Sequence, residues 1–503
     1  MGNLQNVPSY PATPPGYPVF TMTIRTADKI KIIDANSTVV NLIRESITTH
    51  YGPIQYETIG NEGGTCFQLS GWPFCHSRLD QAIKTKHFFI EMISELYRNG
   101  WKLWLTSDLS RTYDYSTMFF HQCAPPTRNF SICCLSLSSS DKFQLIDAPD
   151  YLSDALLGCV GNRLQNKNAY QNCLEVKMYG NFWLNSSYGE SNTARYLLLS
   201  VFRAFRQYGF TYFGTVNLKG TADSIFFIND GTPIPQEQYC IVSLNSGDRL
   251  RLLECPSTLV DMTAELIRQR WPGGLQDMQQ DNNHVEFKMK GYPWVAHRKA
   301  DAVSSRLFIA NLLEESVKLG WAVLTSLDIS RKLGDKAVFV MRSCAPMAIP
   351  HFCIGPADCD RIRIIGAKND MENVMASVIT QCWTPGIQDV TKEGNNLDLK
   401  LAGWPWQSSS LSDSFALTRL MMARIMTILE QYGWSAICSA DVSAKYYSNS
   451  NDHSNDHPLD VHTWFVAQTS LMNPHAASPT GNASAPPEYG ADEPPPTYKE
   501  ALH

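Results

Sequence analysis

No run in this 503-residue chain is apolar for the roughly 20 residues that cross a bilayer, which excludes a transmembrane helix. A basic excess is missing too. The 42 Lys and Arg stand against 48 Asp and Glu, a formal charge of -6, which argues against broad binding to nucleic-acid phosphates. Residues 1–20 hold neither Lys nor Arg nor an apolar run, so they do not read as a secretory signal. The 14 cysteines form no paired Cys-x-x-Cys pattern, which excludes a zinc ribbon and fits a reducing compartment. Gly-x-x-x-x-Gly-Lys, His-Glu-x-x-His, Gly-x-Ser-x-Gly and the dinucleotide-binding glycine fingerprint are all absent. The reading therefore assigns no catalytic residue, no cofactor and no metal ligand.

What is present is apolar mass. Hydrophobic residues make up 44% of the chain and include 12 Trp, 21 Tyr and 22 Phe, enough to build several cores and too much for one domain. Self-similarity explains how that mass is divided. An acidic residue opens an alternating strand four times, at Asp28, Asp141, Asp248 and Asp360, by subtraction 113, 107 and 112 residues apart.

Three further landmarks keep step with the first. Glycine with aromatics recurs as Gly71-Trp72-Pro73-Phe74, Gly180-Asn181-Phe182-Trp183, Gly291-Tyr292-Pro293-Trp294 and Gly403-Trp404-Pro405-Trp406. A second glycine-aromatic pair recurs as Gly100-Trp101, Gly209-Phe210, Gly320-Trp321 and Gly433-Trp434, where a helix needs a left-handed cap. Eight residues after each of these glycines stand Asp108, Asn217, Asp328 and Asp441.

Between the two glycine landmarks the apolar period is helical, as in Phe88, Met92 and Leu96. Strands show as two-residue alternation, as in Leu174–Met178, Val285–Met289 and Leu397–Leu401. The expected fold class is α+β: four tandem copies of a ~110-residue ββαβαββ two-layer unit, with helices on one sheet face. The expected boundaries are residues 19–125, 126–232, 233–346 and 347–472. Short links imply that the copies pack on one another. The repeat is similar to multi-repeat proteins whose copies read Asp-Arg-Ile-Arg, Gly-x-Pro-Trp, Gly-Trp and Asp-x-Ser in that order. The resemblance covers roughly residues 20–472 and brings no activity with it.

The flanks differ. Residues 1–18 and 473–503 are rich in proline and small polar residues, with little to bury, and are expected to be disordered tails. They carry three Pro-Pro-x-Tyr tetrads, built on Pro14, Pro15 and Tyr17; Pro486, Pro487 and Tyr489; and Pro495, Pro496 and Tyr498. Composition alone gives roughly 0.07 such tetrads in a chain of this length. Two prolines stiffen a polyproline II ridge that slots between the aromatic rings of a WW domain, and the tyrosine one turn later fills the adjoining pocket. The tetrads thus resemble the ligands of WW-domain proteins, HECT-type ubiquitin ligases among them. The expected role is a cytoplasmic, non-enzymatic adaptor or scaffold whose repeats carry an unknown cargo. The alternative is a small-ligand or glycan-binding repeat protein with incidental tails.

Weaker signals have plainer readings. Gly2 is a candidate lipidation site that gives at most weak membrane association, since position six is Asn6 and no polybasic run follows. Asp108, Asp328 and Asp441 read as turn caps because copy two has Asn217 there. Trp72, Trp183, Trp294 and Trp406 read as core plugs rather than a sugar-binding groove. Copy four has a polar insertion, residues 446–458, with His453, His457 and nearby His462, which reads as a solvated loop.

Overall fold

The computed structural model describes residues 18–60, 64–75, 78–109, 116–184, 188–218, 223–232, 237–281, 283–295, 298–329, 336–407, 413–442, 446–447, 457–458 and 461–471. The first copy runs β1 (Val19–Arg25), β2 (Lys29–Ile33), α1 (Ser37–Ser46), β3 (Ile54–Ile59), β4 (Thr65–Leu69), α2 (Leu79–Arg98), β5 (Trp101–Ser107) and β6 (Thr117–Gln122). The second runs β7 (Ser131–Ser138), β8 (Lys142–Ile146), α3 (Asp150–Val160), β9 (Leu164–Tyr170), β10 (Cys173–Met178), α4 (Tyr188–Gln207), β11 (Thr211–Val216) and β12 (Ser224–Asn229). The third runs β13 (Tyr239–Asn245), β14 (Arg249–Leu253), α5 (Ser257–Arg270), β15 (Leu275–Asp281), β16 (His284–Met289), α6 (Lys299–Lys318), β17 (Trp321–Leu327) and β18 (Val338–Ser343). The fourth begins β19 (His351–Ala357), β20 (Arg361–Ile365), α7 (Met371–Cys382), β21 (Ile387–Glu393), β22 (Asn396–Leu401), α8 (Asp413–Gln431) and β23 (Ser435–Ala440). It ends with a two-residue pair, β24 (Tyr446–Tyr447) and β25 (His457–Pro458), and the closing strand β26 (Thr463–Ala467).

Each copy is a six-stranded antiparallel sheet with the order β3-β4-β2-β1-β6-β5 or its equivalent. The four-copy α+β architecture is as expected, but each unit is ββαββαββ, with one strand more than the expected ββαβαββ. The extra strand is the outer edge: Ile54–Ile59, Leu164–Tyr170, Leu275–Asp281 and Ile387–Glu393. All of its residues are exposed or half-buried, so no apolar alternation marks it. Its signature is Ile54-Gln55, Leu164-Gln165, Leu275-Gln276 and Ile387-Gln388, where the ladder slips at a bulge in every copy. Bulges and polar residues protect an open edge from pairing with another chain.

The sheets form a closed ring. In every copy the long helix packs on the first strand of the next copy's sheet: α2 on β7, α4 on β13, α6 on β19, and α8 back on β1. Each apolar core therefore joins one copy's helices and sheet to its neighbour's. The first takes Cys134, Ile146 and Cys173 from copy two, while the fourth takes Val19, Leu105 and Phe119 from copy one. Adjacent Cys133 and Cys134 face opposite sides of one strand and enter two different cores, as a two-residue period requires. With both faces covered, every residue of Val19–Arg25, Tyr239–Asn245 and His351–Ala357 is buried.

Candidate functional site

The four inner-edge strands β5, β11, β17 and β23 meet around a central axis, each contacting the next. A bulge skips Trp104, Phe213, Leu324 and Ile437, four residues after the landmark glycine of each copy. Side chains stitch the axis shut. Trp104 Nε1 donates to Ala436 O at 3.2 Å, Thr106 Oγ1 to Thr215 O at 2.5 Å, Thr325 Oγ1 to the Tyr212 hydroxyl at 2.8 Å, and Ser326 Oγ to Ser439 O. Those four bonds join copies 1–4, 1–2, 2–3 and 3–4. A Cβ at Gly214 would lie 2.6 Å from Leu103 Cδ2, so a larger residue there has to displace the Leu103 side chain. What remains at the centre is a cavity of about 50 Å3, too small for anything beyond a few waters.

Just outside the axis stand Asp108, Asn217, Asp328 and Asp441, whose backbones join one copy to the preceding one. Asp108 N donates to His462 Nδ1 at 3.3 Å and His462 N returns a bond to Asp108 O at 3.2 Å. Asn217 N donates to Ser116 Oγ at 3.3 Å, Asp328 N to Asp223 Oδ2 at 2.7 Å, and Ala337 N to Asp441 O at 3.1 Å. These positions are joints between copies. At Asp108, Asn217 and Asp328 the backbone N–H makes the joint, a bond that Asp and Asn supply alike, and at Asp441 the carboxylate also lies 3.8 Å from Lys336 Nζ. His462 belongs to this joint, and burial pushes its imidazole below the ordinary range.

One set of functional positions escaped the sequence reading. Fourteen residues before each landmark glycine stand Lys86, Arg195, Arg306 and Arg419, all buried in the joints between copies. Lys86 Nζ donates to Gln144 at 2.5 Å, Arg195 to Asn245 at 2.8 Å, and Arg306 to Thr463 at 2.9 Å, each on the following copy. Arg419 and Arg25 both stack on the Phe415 ring, 3.5 and 4.2 Å from its centroid. A basic residue at a constant offset inside an apolar helix was the available signal.

The landmark tryptophans separate into two groups. Trp183, Trp294 and Trp406 are buried, and their indole N–H groups donate to Lys142 O, Arg249 O and Arg361 O at 3.0, 2.8 and 2.6 Å. Phe74 fills that place in copy one. Trp72 is not a plug: it is 71% exposed and corresponds to Tyr292 and Trp404, each 67% exposed.

A cleft of about 1350 Å3 lies between copies two and three. Arg203 and Arg206 of α4 line it, together with Glu237, Tyr239, Glu254 and His284. Its cations already have partners: Arg206 meets Glu237 at 3.1 Å, and Arg203 pairs with Glu254 and donates to Tyr239 O at 2.6 Å. Burial pushes the Tyr239 phenol up to about 12. A second polar group, His87, Glu91 and Asp147, spans copies one and two, with all its ligand atoms within 4.8 Å of one another.

The WW-binding positions Pro14, Pro15, Tyr17, Pro486, Pro487, Tyr489, Pro495, Pro496 and Tyr498 lie outside the described residues, as do Gly2, Asp452, His453 and Asp456. No helix among the described residues is long and apolar enough to cross a membrane.

Fold and joints together define a closed ring of four α+β repeats. One domain-family model matches the chain four times, over residues 18–121, 131–228, 238–342 and 350–467, and the chain belongs to that family. No curated protein matches it. Among solved structures, the chain is similar to the crystal structure of the enolpyruvyl transferase NikO from Streptomyces tendae. The identity is 9% and the TM-score 0.13, over 82% of this chain and 91% of that one, and so low a score carries no argument.

Proposed function

We propose that the chain is a non-enzymatic adaptor that recruits WW-domain proteins, HECT-type ubiquitin ligases among them, through its Pro-Pro-x-Tyr tetrads. The observation that carries this reading is their placement: three tetrads in the flanks and none within residues 18–471. Ring closure supports it, because the described chain starts on copy one and stops on copy four, which touch through α8 and β1. Motifs tethered to neighbouring copies raise the effective concentration for a partner with several WW domains. The reading places the protein in the cytoplasm, with Gly2 as a candidate lipid attachment point.

The test replaces Tyr17, Tyr489 and Tyr498 by Ala and measures capture by a tandem WW-domain probe alongside thermal unfolding. Capture should be lost with unfolding unchanged, and capture that persists in the triple variant overturns the proposal. A second reading, ligand or glycan binding by the repeats, has its support in the 1350 Å3 cleft and in exposed Trp72, Tyr292 and Trp404.

A further inference from the structure

We propose that His87, Glu91 and Asp147 form a binding site for a divalent transition-metal ion of the zinc type, pinning copy one to copy two. His87 and Glu91 are one helical turn apart on α2 and share a face. Asp147 follows β8 of the next copy and is held in the left-handed region at φ 55. Zinc binds nitrogen and carboxylate oxygen tetrahedrally at about 2.0–2.2 Å, which places donors around one ion about 3.3–3.6 Å apart. The three ligand atoms, all within 4.8 Å of one another, need only a small adjustment to reach that spacing.

The surroundings fit a metal. His87 Nδ1 and Asp147 Oδ2 are 2.7 Å apart, sharing a proton that an ion would replace. Asn172 Nδ2 donates to Asp147 Oδ1, orienting the carboxylate as outer-shell groups do at metal centres. The His50 ring, in the π-helical turn Ile47–Tyr51 after α1, has its centroid 6.4 Å from that of His87. The His87 and Asp147 side chains are 36% and 18% exposed, so an ion can enter.

The other three joints act as internal controls. The position of Glu91, nine residues before the landmark glycine, is Ser200, Asn311 and Arg424 elsewhere, and that of Asp147 is Glu254, Gly366 and Asp34. Where copy four meets copy one, Arg424 neutralises Asp34 at 2.9 Å. Where copy two meets copy three, Arg203 neutralises Glu254. Where copy three meets copy four, glycine removes the carboxylate, and Lys368 pairs with Glu314 at 2.5 Å. Among the described residues, only the joint of copies one and two brings the ligand atoms of two carboxylates and a histidine within 4.8 Å of one another, and there neither carboxylate is ion-paired to Lys or Arg. A divalent ion supplies there the positive charge that Arg supplies elsewhere.

The test strips the full chain with a chelator, then titrates it with Zn2+ by calorimetry and with Co2+ by visible absorption. One ion per chain should bind. Glu91→Arg, which copies the Arg424–Asp34 arrangement, and His87→Ala should each weaken binding at least about tenfold, and circular dichroism checks that both fold. If His87→Ala does not fold, Glu91→Arg and Glu91→Gln decide the matter. A double variant, His453→Ala with His457→Ala, should bind like the wild type. The proposal is overturned if the wild-type chain takes up no ion, if Glu91→Arg keeps wild-type affinity, or if binding disappears with His453 and His457.

Discussion

Replacing each landmark glycine by alanine separates two costs that the sequence presents as one. Gly100, Gly209, Gly320 and Gly433 have φ of 79, 89, 83 and 73, so a Cβ in any copy costs about 1–2 kcal/mol from backbone conformation alone. What the Cβ then meets differs. At Gly100 and Gly320 it lies 2.7 and 2.9 Å from the carbonyl oxygens of Cys123 and Cys344. Those two residues are themselves bonded back to the glycines, at 2.7 and 2.8 Å, so the backbone has no room to yield. At Gly209 the nearest atoms belong to the side-chain amide of Asn229, which can rotate, whereas at Gly433 the Cβ would lie 2.7 Å from Ser470 Cβ, an atom fixed to a backbone that is itself bonded to Gly433 O at 3.0 Å. Overpacking against fixed backbone adds about 1–3 kcal/mol. Gly100→Ala, Gly320→Ala and Gly433→Ala should therefore each cost about 2–5 kcal/mol, and Gly209→Ala about 1–2 kcal/mol. Urea unfolding measures the difference. A ring that melts as one unit over roughly 450 residues moves its Tm by only about 1 °C per kcal/mol. Four equal losses would refute the clash argument and leave backbone conformation as the whole effect.

Other outcomes follow from single contacts. Trp294→Phe removes the indole donor to Arg249 O and opens a gap that Phe74 does not leave in copy one, and should cost about 2–4 kcal/mol in chemical unfolding. Burial pushes the His351 imidazole down to about 4, and that of His121 likewise. In the unfolded chain each takes up a proton near pH 6.5, so stability holds above that pH and falls as pH drops toward about 4. For His351 the loss approaches roughly 3 kcal/mol, and His351→Gln should flatten that part of the urea-midpoint profile.

The parts of the fold that bury apolar surface within one copy were legible in the sequence. The strands opening at Asp28, Asp141, Asp248 and Asp360 show their alternation, and the glycine landmarks end their helices where expected. The outer strand was not legible, because Gln-rich segments such as Leu275–Asp281 are wet on both faces and carry no period. The joints were hidden for a different reason. Contacts such as Asp108 to His462, or Glu91 to Asp147, link residues whose proximity follows only from how whole copies pack. Lys86 and its equivalents lie between these cases: their constant offset was visible, but their burial against the next copy was not. Trp72 shows the limit of reading aromatics by type, since one landmark supplies both an exposed ring and, two residues later, a buried one.

Closure also accounts for how every copy covers both faces of its sheet, and it fits the proposed recruitment through the flanks. Each sheet is apolar on both faces and owns helices for one face only, so a single copy would leave the inner face of strands such as Val19–Arg25 exposed. An open array of such units needs atypical capping repeats at its ends. Here α8 covers β1 instead, and Phe415 of copy four takes Arg25 of copy one onto its ring face. A ring closed in this way leaves its outer surface to polar edge strands that resist pairing. The three Pro-Pro-x-Tyr tetrads stand in the sequence that flanks the ring, so the proposed recruitment draws on no residue of its cores.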